Sequence, residues 1–62
     1  QRQFLKVPTP YGHVTMKISL LDGQPVNYVP EFEDCRRLAT ELGVPLKEIQ
    51  SAAVHAYLQK NF

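Results

Sequence analysis

The chain has 62 residues, 44% of them hydrophobic and 21% charged, a usage that fits an ordinary globular domain and excludes wholesale disorder. At this length folding buries only about 60% of the surface that the unfolded chain exposes, so one thin core between a small sheet and one or two helices is expected, with no room for a two-lobed active site. Seven Lys and Arg against six Asp and Glu leave a formal charge of +1, which argues against partners held through many phosphates, nucleic acid and anionic membrane alike.

Taken in chain order, residues from about Arg2 to Val7 alternate as a strand does. The run Pro8-Thr9-Pro10-Tyr11-Gly12 then breaks the pattern, because proline fixes φ and lacks an N–H while Gly12 permits positive φ. From His13 to Leu20 the period is two: Val14, Met16, Ile18 and Leu20 share one face, and His13, Thr15, Lys17 and Ser19 the other. That predicts a half-buried strand paired with the first as a hairpin. An Asp22-Gly23 turn leads to a short strand over Val26 to Val29, confined to an edge by Pro25.

At Pro30 the period changes. Phe32, Cys35, Leu38, Ala39 and Leu42 fall at helical spacing, with Glu31, Glu33 and Asp34 at the start, where acids suit the helix dipole. Gly43 stops this helix, and Pro45 is placed as the first residue of a second. Leu46, Ile49, Ala53 and Tyr57 form the second helix's inner stripe. Val54 and Leu58 fall off that stripe, so they are read as an interface with a missing segment or another subunit. The expected fold is α+β: a three-stranded antiparallel sheet in the order β-β-β-α-α, with both helices on one face. The chain opens on Gln1 rather than Met, and residues 1–62 are read as one small domain taken from a longer polypeptide. A single cysteine excludes an internal disulfide and suits a reducing cytoplasm. No apolar run approaches ~20 residues and no signal-peptide pattern is present, so the chain is expected to be soluble.

Few constellations carry chemistry. His13, Cys35 and His55 lack the CxxC, HxH or HExxH spacing of a metal site, and Ser19 and Ser51 have no base placed beside them. Cys35 lies on the inward stripe, where a free cysteine is a small hydrophobe. The block Glu31-Phe32-Glu33-Asp34-Cys35-Arg36-Arg37 has two readings. Its carboxylates suit a divalent cation and its arginines a phosphate; equally, the acids complement the dipole and Glu33 pairs with Arg36 or Arg37. Tyr11, at a loop tip, offers a ring for stacking and a hydroxyl, or merely completes a rigid hairpin. Ala39, Gly43 and Ile49 have helix-turn-helix spacing, as in a transcription-regulator fragment, but the second helix opens with one base offset by one acid, too little for DNA. A tight packing unit explains the spacing better.

Thr9-Pro10-Tyr11-Gly12, Val14-Thr15-Met16-Lys17-Ile18, Val29-Pro30-Glu31-Phe32-Glu33-Asp34-Cys35-Arg36-Arg37-Leu38-Ala39 and Gly43-Val44-Pro45-Leu46-Lys47-Glu48-Ile49 together resemble the C-terminal domain of the nickel insertion (nickel chelatase) family. The likeness runs from about Phe4 to Ala56. It implies a piece of a protein that inserts Ni2+, its substrate metal, into the nickel-pincer precursor pyridinium-3,5-bisthiocarboxylic acid mononucleotide, using CTP with Mg2+ or Mn2+. It further implies a larger N-terminal portion as partner, holding the metal-binding histidines, so that this piece is not catalytic alone. If nucleotide touches it, Tyr11, Lys17, Arg36 and Arg37 are the expected nucleotide contacts, and Glu31 and Asp34 the metal-side acids. The rival expectation is a non-catalytic oligomerisation domain, a homo-oligomer formed through Val54 and Leu58.

Overall fold

The computed structural model describes residues 1–60. Three antiparallel strands, β1 (Arg2–Thr9), β2 (Gly12–Leu21) and β3 (Gln24–Pro30), precede two helices, α1 (Phe32–Leu42) and α2 (Leu46–Gln59). This is the expected α+β order, with β2 central and β1 and β3 at the edges. Among the described residues no helix is long and apolar enough to cross a membrane.

Hydrogen-bond alternation in the β1–β2 ladder explains where the strands end. The Leu20 amide donates to the Gln1 carbonyl at 2.8 Å. Bonded pairs therefore alternate as Gln3 with Ile18, Leu5 with Met16 and Val7 with Val14, and the amides of Arg2, Phe4 and Lys6 face away from β2. Pro8, opposite His13, shares that outward parity, so its missing N–H breaks no ladder bond. β1 consequently runs through Pro8 to Thr9 instead of stopping at Val7, and the hairpin closes over Pro10 and Tyr11 alone. At the second turn Asp22 and Gly23 both have positive φ, 51° and 76°, the requirement of a type I′ turn. A register shift between Ser19 and Leu20 marks a bulge opposite the start of β3.

β2's alternation decides the core. Val14, Met16 and Ile18 are buried, together with Val7 of β1, Cys35 and Leu38 of α1, and Ile49, Ala53 and Tyr57 of α2. Each large apolar side chain so covered contributes about 1.5–3 kcal/mol. Tyr57 closes one end, 5.0 Å from the Tyr28 ring between centroids, with Lys60 Nζ 5.0 Å above it. Gly43 ends α1 in the left-handed region at φ 66°, and the Val44 amide donates to the Ala39 carbonyl at 3.1 Å. Pro45 keeps an extended ψ of 139°, so it caps α2 and Leu46 begins it, one residue later than expected.

Candidate functional site

The acidic start of α1 is built into the sheet. β3 ends at Pro30, and Glu31 continues its line by donating its amide to the Thr15 carbonyl at 2.8 Å. A further strand residue would return the Glu31 carbonyl to the Thr15 amide. That carbonyl instead accepts the Cys35 amide at 3.3 Å as the helix begins. Asp34 replaces it: the Thr15 amide donates to Asp34 Oδ2 at 2.8 Å. The Glu31 carboxylate makes no capping bond. Asp34 and Glu33 lie in the first turn of the helix, where the dipole favours negative charge.

One turn on, Arg36 places Nε and Nη2 on Glu33 Oε1 at 3.0 and 2.9 Å. Arg37 donates through Nη1 to Glu41 Oε1 at 3.4 Å. Both pairs are more than half exposed and are worth about 0–1 kcal/mol, so both guanidinium groups are available to a competing anion. Cys35, just before the two arginines, is fully buried. Burial, and then the charge of Asp34, push its thiol above the usual value near 9.0, which leaves it inert as a nucleophile.

The other expected site residues lie elsewhere. Tyr11 is fastened into its hairpin. Its amide donates to Thr9 Oγ1 at 3.1 Å, and that hydroxyl donates to the Gly12 carbonyl at 2.6 Å. Its own hydroxyl reaches Glu48 Oε2 on α2 at 3.4 Å, and its ring packs half-buried on the core. Thr15 lies four positions further along the chain, about 13 Å of strand. Gly12 has φ 133°, and a Cβ there would meet Leu38 Cδ2 at 3.2 Å, so the close approach it allows is to the domain's own helix. Lys17 alternates with buried Met16 and Ile18 and therefore lies on the sheet face turned away from the helices. The structure thus sets Glu31 and Asp34 at the start of α1 and Arg36 and Arg37 in its next turn; Tyr11 lies at the β1–β2 turn, and Lys17 on the open sheet face, where Glu31 alone of these four borders it.

His13 and His55 are exposed, and among the described residues no three His, Cys, Asp or Glu gather as a metal site. Val54, half-buried, and Leu58, 55% exposed, line a groove of about 480 Å³ with Pro30. The sequence reading left out Arg2, Phe4 and Lys6, which share the open sheet face with Lys17. The spacing Arg-x-Phe-x-Lys carried that signal.

The sequence pattern described as nickel insertion protein matches residues 1–50. The chain belongs to that family. A Myxococcus xanthus relative named for nickel insertion is 46% identical over 56 residues, which are 90% of this chain and 14% of its own length. The Thermotoga petrophila pyridinium-3,5-bisthiocarboxylic acid mononucleotide nickel insertion protein is 43% identical over 51 residues, 82% of this chain and 13% of that protein. The chain therefore spans about one seventh of the relatives it matches. Among solved structures it is similar to LarC2, the C-terminal domain of a cyclometallase involved in the synthesis of the NPN cofactor of lactate racemase, in its apo form. The TM-score is 0.85 at 37% identity, over 92% of this chain and 39% of that one. This family member thus has the fold of a nickel-pincer cofactor biosynthesis domain, with its two helices packed on a sheet.

Proposed function

We propose that this chain is part of the C-terminal portion of a cytoplasmic nickel chelatase that inserts Ni2+ into pyridinium-3,5-bisthiocarboxylic acid mononucleotide with consumption of CTP. The likeness to LarC2 over 92% of the chain carries the reading. In it, the domain contributes contacts and leaves the metal insertion itself to the larger N-terminal portion. Arg36 and Arg37 are the phosphate-side residues: their planar forks are exposed and held only by weak pairs, which a phosphate can displace. Glu31 and the free oxygen of Asp34 face the same end of α1 and suit the Mg2+ or Mn2+ that accompanies CTP. Tyr11 and Lys17 reach only a ligand that extends beyond this end, or one completed by another part of the protein.

A titration of the isotope-labelled chain with CTP tests this, followed by amide shifts with Mg2+ and by paramagnetic broadening with Mn2+. Changes confined to Glu31–Arg37, and lost in Arg36→Ala with Arg37→Ala, are expected. A silent spectrum from the folded chain overturns the nucleotide role. The second reading, an assembly surface, is favoured by the groove at Val54 and Leu58.

A further inference from the structure

The two edges of the sheet are unlike. On β3, Pro25 and Pro30 bring no N–H. The ladder turns the Val29 amide toward β2 and the Tyr28 amide outward, where it donates to Asn27 Oδ1 at 3.0 Å. Prolines and side-chain caps are means by which an edge refuses another strand. On β1 the amides of Arg2, Phe4 and Lys6 face outward, and among the described residues none has an acceptor.

Charge is divided as unevenly. Arg2, Lys6 and Lys17 occupy the sheet face turned from the helices, around Phe4, which is 59% exposed and lies directly opposite Lys17. Of the six acids only Glu31, which continues β3 opposite Thr15, borders that face, on the margin away from β1; Asp22 is in a turn, and the other four belong to the helices. The net charge of +1 therefore conceals a surface that is cationic along β1. Along the same edge a groove of about 540 Å³ lies between the β1–β2 turn and α2, lined by Pro8, Pro10, Ala52 and Ala56 with Ser51 and His55 among them.

We infer that β1 receives an extended acidic segment of polypeptide as a fourth strand. The segment's backbone pairs with the outward groups of Arg2, Phe4 and Lys6. Its alternate side chains are acidic on the cationic face, opposite Arg2 and Lys6, and small and apolar on the helix side, where the groove takes them. A second copy of the chain fits poorly. Antiparallel pairing of β1 with itself about Phe4 sets Arg2 against Lys6, and like charges directly opposite repel.

The test uses the 62-residue chain with a blocked peptide of four Glu-Val repeats, its Lys-Val counterpart, and a single-stranded oligothymidylate. With the Glu peptide at about 1 mM, amide exchange at Arg2, Phe4 and Lys6 is expected to slow about tenfold. Tyr28 stays unchanged, salt weakens the effect, and the Lys peptide gives none. Lys6→Pro removes one outward N–H, as Pro8 already does, and abolishes the slowing; Lys6→Glu weakens it without touching the backbone. Three results overturn the inference: no slowing with the Glu peptide, equal slowing with the Lys peptide, or slowing that follows the oligonucleotide and not the peptide. Protection that rises with the chain's own concentration in the absence of peptide overturns it as well.

Discussion

The amide of Thr15 and the carboxylate of Asp34 meet at 2.8 Å, 19 residues apart in sequence. Through this bond α1 takes over the sheet edge where β3 stops. Asp34→Ala leaves a part-buried N–H without an acceptor and is expected to cost about 1–3 kcal/mol. Asp34→Asn keeps an acceptor oxygen and costs less. Urea denaturation followed by circular dichroism measures both, and an unchanged Asp34→Ala midpoint contradicts this role. Because Asp34 supports the fold, Glu31→Gln is the cleaner variant for probing a bound cation.

Gly12 faces two penalties at once. Its φ of 133° strains any L side chain, and an added Cβ meets Leu38 Cδ2 at 3.2 Å. Gly12→Ala is expected to destabilise by about 1–3 kcal/mol. Leu38→Ala in the same chain relieves the contact and leaves the backbone strain, so a double-mutant cycle should find coupling between the two sites. Strict additivity would show that the contact contributes nothing.

Cys35 predicts a pH dependence. Its thiol is raised above 9.0 in the folded chain, so above that pH the unfolded state has lost a proton that the native state retains. The unfolded state then binds fewer protons, and stability falls as pH rises. The contribution is intact below pH 9.0 and is lost as pH climbs from there through the folded value. Denaturation midpoints of the wild type should drop more steeply than those of Cys35→Ala above pH 9.0. Parallel curves would place the alkaline loss in other groups.

Leu58→Asp is expected to leave folding stability within about 0.5 kcal/mol, since the side chain is exposed and away from the buried core. Sedimentation velocity should show self-association of the wild type reduced in this variant. Unchanged association would move any assembly contact away from the groove at Pro30, Val54 and Leu58.

Local pattern carried much of this architecture. The period of two from Val14 to Ile18 placed three buried side chains correctly, and the helical stripe from Ile49 to Tyr57 placed three more. Family membership was likewise readable from the acid-Cys-Arg-Arg block and the Gly-Val-Pro-Leu-Lys-Glu turn. What local pattern could not carry were relationships with a distant partner. Pro8 belongs to a strand only because its parity against His13 turns the missing N–H outward. Asp34 reads as a dipole-favouring acid until Thr15 lies beside it. The separation of Lys17 from Arg36 and Arg37 was implicit in the alternation of β2, but it has meaning only once both helices are known to cover the other face.

The contrast between β3 and β1 also bears on how copies of this domain can accumulate. Endless stacking through sheets needs two complementary margins on every molecule, one to receive a neighbour and one to be received. With Pro25, Pro30 and the Asn27-capped amide of Tyr28 on one margin, head-to-tail addition has nowhere to continue. Whatever joins at β1 terminates the series, so an edge left open for a partner does not expose the protein to fibre growth.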